Sequence, residues 1–377
     1  MTDPFSLADD LGPGKIVHVH EPACALRGIL VVDNVAAGPA IGGLRMAADV
    51  SVEECFRLAR AMSLKNAAAG LAHGGGKSVV FGDPRMPSDA KESMLRTFAS
   101  ALRGVEDYIF GPDMGTTEEC MAWIRDEMGR ALGLPRELGG IPLDEIGATG
   151  WGVRRAAEIA LEQVGLELSG TRFVVQGFGA VGIHSARFLA SEGAVMVGAA
   201  DSRGAISNPD GIDVEELVAL KYGGASVAEW SGGERMPTQQ VVEIDCDVLI
   251  PAARPDVIHK DNVARVSTSV IVQGANIPIT EEAERELHAR GVLCVPDFIA
   301  NAGGVICAAM EYQKVPEASV FPTISDKIGR NTRAVLEDAA RRGITPRQSA
   351  LEMAEARIRQ AMQYRRHGIF SSAPHFI

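Results

Sequence analysis

The residues of this 377-residue chain best able to do chemistry are a pair of lysines and a glycine fingerprint further along. Lys65 and Lys77 stand twelve residues apart, with Gly74-Gly75-Gly76 directly before the second. Glycines beside a lysine suggest a ligand that touches backbone. A lysine acts as a base only where burial or a neighbouring cation lowers its pKa, and Lys65 is a candidate for that neighbour. Gly76-Lys77-Ser78 is not a P-loop. Leu71 stands where the first glycine belongs, and the Val79-Val80-Phe81 run that follows reads as strand rather than helix. His73 is read as a structural residue.

The fingerprint is Gly177-Phe178-Gly179-Ala180-Val181-Gly182, a G-x-G-x-x-G. It follows the strand-like TRFVVQ, opens a helical stretch, and has Asp201 nineteen residues after its last glycine at the end of the next strand. That is the full context of a dinucleotide site. Gly177 permits the tight turn, Gly179 lets backbone approach a pyrophosphate, and Gly182 lets helix pack on strand, while the helix N-terminus favours phosphate charge. Asp201 can accept from ribose hydroxyls and repels a 2′-phosphate, which favours NAD. Arg203, two residues on, offers NADP a partner.

These groups need elements to hold them. Residues 15–20 and 28–33 read as strands, and Ser51 with Glu54 has the spacing of a capping box at the start of a helix whose stripe is Cys55, Leu58 and Met62. From about residue 145 strands alternate with helices. The strand ends are Gln176, Asp201, Ile250, Gln273 and Val295, and helices are expected over 181–192 and 281–290. Alternation of this kind predicts a parallel sheet whose ligands bind beyond the carboxyl ends of the strands. A helix over 323–342, stopped by Gly343, and a second begun by Thr345-Pro346 are expected to return to the first domain. The fold class is therefore α/β with two domains and a cleft between them. An N-terminal mixed α/β substrate-binding and oligomerisation domain spans 1–143 plus 329–377, and a Rossmann-type parallel-sheet domain spans 144–328.

Composition narrows the partners. A formal net charge of −12, from 49 acids and 37 bases, argues against nucleic acid and anionic membrane. The six cysteines form no CxxC pair and read as reduced core residues, with no metal expected. The first residues lack a basic and then apolar leader, and no apolar run approaches the ~18–20 residues of a membrane span, so a cytoplasmic protein is expected.

Several segments in order resemble the glutamate/leucine/phenylalanine/valine dehydrogenase family. They are GPAIGGLRM (38–46), MSLKNAAAGLAHGGGKSVVFGDP (62–84), GPDMGTT (111–117), ATGWGV (148–153), QGFGAVG, QGANIP and FIANAGGVI (298–306). The resemblance implies NAD-dependent oxidative deamination of an L-amino acid by a homo-oligomer. It gives Lys77 the role of activating water and Asp113 that of shuttling protons. Lys65 would hold the substrate α-carboxylate, with Gly43 and Asn301 beside the substrate. Asn301, Thr149, Ser202, Ala252, Ala253, Gly274 and Asn276 would line the cofactor cleft with the fingerprint residues. Glutamate-specific members resemble P-x-K-G-G-L-R and carry a serine seven residues after the NAGG asparagine. Here those positions are Ile41 and Ala308. With Gly111 and Val305 they would form an apolar pocket wall, which points to the leucine/phenylalanine branch, and small Gly111 and Ala308 would leave room. Two rivals stay open: a non-catalytic homologue that binds amino acid or NAD, and an NAD-linked amine or imine oxidoreductase acting on an unusual apolar substrate.

Overall fold

The computed structural model describes residues 5–364. The leader reading at 1–4 and the assignment of 365–377 to the first domain lie outside the described residues. The described chain divides into two compact units: 5–142 with 307–317 and 353–364, and 143–306 with 318–352.

The first unit is built on a five-stranded mixed sheet in the order β1-β2-β4-β3-β5. Its strands are β1 (Lys15–Glu21), β2 (Leu26–Asn34), β3 (Ala40–Ala47), β4 (Gly74–Phe81) and β5 (Tyr108–Pro112). β4 runs antiparallel to β2 and parallel to β3, which is parallel to β5. Helix α1 (Val52–Ala68) covers one face, and α2 (Ser88–Ala101) with α3 (Glu118–Met128) covers the other. Successive side chains of β2 therefore enter opposite cores. Ile29 and Val31 meet Cys55 and Ala59 of α1, while Leu30 and Val32 join Phe98, Met121 and Ile124. A strand buried on both faces reads as a continuous apolar run, as GILVV does.

Ser51 caps α1, accepting from Glu54 N at 3.1 Å. The buried stripe of that helix is Cys55, Ala59, Ser63 and Asn66, not Cys55, Leu58 and Met62. Small residues take it because α1 lies directly on the glycines of β4. A Cβ on Gly75 would come within 2.0 Å of Ser63 N. The three glycines are packing positions, Gly75 under α1, Gly74 against Asn34 O of β2 and Gly76 against the Tyr108 ring of β5, which corrects their reading as backbone left open for a ligand.

The second unit holds a seven-stranded sheet in the order β12-β11-β10-β6-β7-β8-β9. Its parallel core is β6 (Arg172–Gln176), β7 (Val195–Asp201), β10 (Val248–Pro251), β11 (Val270–Val272) and β12 (Leu293–Val295). β8 (Gly204–Ser207) and β9 (Glu234–Met236) extend it antiparallel, an addition absent from the all-parallel expectation. The helices are α4 (Ala148–Gln163), α5 (Ala180–Ser191), α6 (Val214–Tyr222), α7 (Glu281–Ala289), α8 (Asp297–Ala300), α9 (Gly303–Tyr312), α10 (Val320–Arg342) and α11 (Pro346–Tyr364).

The C-terminal division differs from the expected one. α10 stays with the second unit because it packs along α4. The Trp151 indole donates to Phe321 O and Ser325 Oγ, and a Cβ on Gly152 would meet Ile328 at 2.5 Å. The chain rejoins the first unit only at Met353. There Arg357 donates to Ala67 O and Ala68 O at the end of α1. Residues 307–317, at the end of α9 and just beyond, belong to the first unit. Among the described residues no helix is long and apolar enough to cross a membrane.

Candidate active site

Three strands of the first unit bring a charged cluster together. Lys77 sits on β4, Asp113 follows β5, and Arg45 sits on β3 between them. Gly43 makes their meeting possible. A Cβ there would come within 2.8 Å of Asp113 Cβ and 3.2 Å of Lys77 Nζ, so any side chain would part the two. As it is, Lys77 Nζ lies 3.0 Å from Asp113 Oδ2, and Arg45 Nε donates to the same oxygen at 2.8 Å. Arg45 Nη1 donates to Glu54 Oε1 at 2.5 Å.

The turn after β5 is held just as firmly. Thr116 Oγ1 donates to Leu44 O and accepts from Asp113 N, and Gly115 takes φ +82° hard against Met46 O. These contacts explain the GPDMGTT sequence as one positioning device for Asp113.

The electrostatics follow from burial. Taking the Lys77 ammonium out of water pushes its pKa below the ordinary lysine value. Asp113 opposes that shift, and Arg45 adds to it. Arg45, which sequence reading did not single out, is a neighbouring cation that lowers Lys77, and Lys65 sits half-buried in the last turn of α1. Burial pushes the Asp113 carboxyl up, but Lys77 and Arg45 outweigh it and hold the group below the usual carboxylate range. A buried amine of lowered pKa beside an ionised carboxylate can accept, hold and return protons more readily than a free lysine.

Ile41 and Ala308 meet in one buried apolar cluster with Ile109, Leu132 and Ala309. Leu132 is a residue the sequence did not flag. A Cβ on Gly111 would touch it at 3.0 Å, so the space expected at Gly111 is filled by Leu132. Leu132 is carried on a loop anchored by the buried Glu311, whose carboxylate accepts from Gly133 N, Leu134 N and Ile141 N. His73 is buried, with Nδ1 3.2 Å from Pro39 O and its ring edge-on to Tyr312, in keeping with a structural role. Val305 and Asn301 belong to the second unit.

In the second unit, Gly177, Phe178, Gly179, Asp201, Ser202, Ala252 and Ala253 line one cavity of about 570 Å³ beyond the strand ends. Gly177 has φ +103° and presses on Ala253, Gly182 presses on Gly177 O, and Gly179 has nothing within 4 Å of where a Cβ would lie. Gly179 caps α5, whose first residues are Ala180 and Val181. A dinucleotide fits this cradle. Open space at Gly179 lies at the N-terminus of α5, where among the described residues no side chain caps the helix, as a pyrophosphate requires.

A second group gathers nearby. Asn301 Nδ2 donates to Gly274 O and Asn276 Oδ1, while its buried Oδ1 has no hydrogen-bond partner among the described residues. An orphaned acceptor of this kind suits a carboxamide or amine donor from a ligand. Thr149 Oγ1 lies 2.9 Å from where a Cβ on Gly304 would stand.

Asp201 differs from expectation. It is not free for ribose alone: Oδ1 accepts from Arg203 N and Ser226 Oγ, and Oδ2 accepts from Lys221 Nζ at 2.6 Å and from Val227 N. Burial pushes the carboxyl up, yet these bonds bring it down to about 2. Lys221 itself lines the cavity, and sequence reading missed it.

A two-unit α/β protein with a dinucleotide cradle on one sheet and a lysine–aspartate pair on the other is the frame of an amino acid dehydrogenase. The comparisons agree. The model for Glutamate/Leucine/Phenylalanine/Valine dehydrogenase matches residues 139–366, and that for the Glu/Leu/Phe/Val dehydrogenase dimerisation domain matches residues 15–130. The chain is 40% identical to a glutamate dehydrogenase of Thermotoga maritima, over 76% of this chain and 72% of the relative. It is 36% identical to one of Aeropyrum pernix, over 80% and 77%. Among solved structures it resembles a hetero-hexameric glutamate dehydrogenase from Thermus thermophilus in its Leu bound form, with a TM-score of 0.82, 30% identity, and coverage of 95% and 91%. The chain belongs to the glutamate/leucine/phenylalanine/valine dehydrogenase family and is an enzyme acting on CH–NH₂ donors.

Proposed function

We propose that this enzyme reversibly deaminates an apolar L-amino acid, branched-chain or aromatic, to the 2-oxo acid and ammonia with NAD. The observation that carries the reading is the burial of Ile41 and Ala308 in one apolar cluster. Glutamate-specific members resemble a sequence with a lysine and a serine at those positions. A distal carboxylate beside Ile41 and Ala308 would lie unpaired, at a cost of several kcal/mol.

Bound NAD supplies the hydride acceptor. Gly177, Gly179 and the start of α5 would hold its pyrophosphate, Asp201 and Ser202 its ribose, and Asn301, Asn276 and Gly274 its far end. Lys65 would hold the substrate carboxylate. Asp113 accepts a proton from the substrate ammonium, freeing the nitrogen lone pair that drives hydride loss from Cα. Neutral Lys77 then takes a proton from water as its oxygen attacks the imine carbon. Asp113 returns its proton to nitrogen, and ammonia leaves as the carbinolamine hydroxyl gives a proton to the freed Asp113 carboxylate and becomes the carbonyl of the 2-oxo acid. We propose self-association as well, supported by the dimerisation-domain match and by the hetero-hexameric Thermus relative.

The names of the relatives favour glutamate as substrate, so the test must choose. Nicotinamide reduction is followed with leucine, phenylalanine, alanine and glutamate in the wild type, in Lys77→Ala and in Ile41→Lys with Ala308→Ser. The reading expects turnover lost in Lys77→Ala with NAD still bound, and apolar activity cut in the double variant by a lysine that must be desolvated. Near-normal kcat in Lys77→Ala, or unchanged apolar activity in the double variant, overturns it.

A further inference from the structure

Arg45 stands in the charged cluster but has no role in the chemistry above. Its guanidinium is one-fifth exposed, and two N–H groups are used on two different carboxylates: Nε on Asp113 and Nη1 on Glu54. Lys77 and Arg45 both take Asp113 Oδ2. Among the described residues no protein donor reaches Oδ1. A carboxylate gripped twice through one oxygen cannot rotate, and its other oxygen is presented.

We propose that Arg45 is a positioning residue. It holds Asp113 by Oδ2 together with Lys77, leaves Oδ1 to the substrate amine, and is itself braced by Glu54. The proposal rests on the acid–base reading of Lys77 and Asp113. The geometry favours arginine for this task. A planar fork can hold two carboxylates at fixed angles, whereas a lysine is a point charge on a flexible stem. Arg45 is fixed from β3, Glu54 from the first turn of α1 and Asp113 from the turn after β5, so three elements must agree for the carboxylate to face correctly.

The other groups near the pair do not compete. The Cys55 thiol of α1 is pushed up to about 12 by burial, and the Tyr108 phenol of β5 is pushed well above its ordinary value by burial. Both are neutral across the working range. The ion pairs that hold Asp113 run from Lys77 and Arg45, and Arg45 is paired in turn with Glu54.

The sign is then fixed. The Arg45 charge lowers both Lys77 and Asp113. Arg45→Gln should move the pH profile of kcat/KM toward higher pH and lower kcat by about 10²-fold, the scale of a misplaced catalytic group. Arg45→Lys restores the charge but not the two-point grip, so it should return the profile to the wild-type position while recovering kcat only in part. Glu54→Gln, changed at a half-exposed site, keeps the guanidinium but removes its counter-charge and should move the profile slightly toward lower pH.

The experiment is the pH dependence of kcat and kcat/KM for amino-acid-dependent NAD reduction in these three variants, with Lys77→Ala in parallel. Opposite displacements in Arg45→Gln and Glu54→Gln, with return in Arg45→Lys, support the proposal. Profiles superimposed on the wild type overturn it, and if Arg45→Gln fails to fold, an unmoved Glu54→Gln profile does so alone. Retained turnover in Lys77→Ala, or no amino-acid-dependent reduction in the wild type, removes the underlying acid–base reading and this proposal with it.

Discussion

Two glycines of this chain should respond to alanine in opposite ways. Gly75 on β4 lies under α1, and a Cβ there would stand 2.0 Å from Ser63 N, 2.5 Å from Ser63 Cα and 2.5 Å from Ser63 Oγ. Those atoms are mainly backbone, so the whole helix must retreat by more than an ångström. Overpacking of this severity costs ~3 kcal/mol or more. The buried Ser63 hydroxyl, which donates to Asp33 at 2.6 Å, would be disturbed too, for roughly another 1–2 kcal/mol. Gly75→Ala should therefore lower Tm by roughly 10 °C. Gly179 is the reverse case. It has open space around it and a φ of −100° that any residue adopts. Gly179→Ala should keep Tm within ~2 °C but raise KM for NAD at least about tenfold, because its methyl occupies the pyrophosphate's approach. Thermal unfolding by circular dichroism and steady-state kinetics on both variants decide. A native Tm in Gly75→Ala with a raised amino-acid KM would restore the glycines to a ligand-binding role. An unchanged NAD KM in Gly179→Ala would refute the cradle.

Further outcomes follow from the same geometry. Lys77 lies below the ordinary lysine value because it is buried, so its proton-accepting form is populated at lower pH than for free lysine. The kcat/KM for deamination should rise with pH through a midpoint below the ~10.4 of free lysine, and a midpoint at or above that value would contradict the buried-amine account. Lys65→Ala should raise the amino-acid KM by roughly tenfold or more through loss of a charge-assisted contact worth ~1.5–3 kcal/mol, with KM for NAD unmoved. Lys221 offsets the Asp201 charge, so the preference for NAD over NADP should be modest. Lys221→Met should sharpen it, and an unchanged NAD-to-NADP ratio of kcat/KM would show that Lys221 does not face the 2′ position.

What the sequence disclosed depended on how local the cause was. The Ser51 cap, the αL stop at Gly343 and the turn at Gly177 each leave a signature within a few residues, because the backbone conformation itself demands the residue type. The family segments carry Lys77 and Asp113 as motif residues, and the two approach to 3.0 Å. Contacts between distant segments leave no such trace. Leu132 filling the space at Gly111, Arg45 gripping Asp113 and Lys221 pairing with Asp201 depend on which strands become neighbours. Glycine is ambiguous for a related reason. It reports that something lies close, not whether that thing is a ligand, as at Gly179, or a helix, as at Gly75. The chain rejoins the first unit at Met353, later than the sequence suggests, because the contacts of α10 with α4 keep that helix in the second unit.

The central claim is that Ile41 and Ala308 make the substrate side-chain site apolar. Its most direct test is the ratio of kcat/KM for leucine or phenylalanine to that for glutamate in the unmodified enzyme with saturating NAD. Each CH₂ buried in such a site contributes about 0.8 kcal/mol, and an unpaired distal carboxylate costs several. The account predicts that the better apolar substrate exceeds glutamate by at least about 10³-fold. A ratio near or below one would contradict it and would show that the glutamate carboxylate finds partners other than the two residues replaced here.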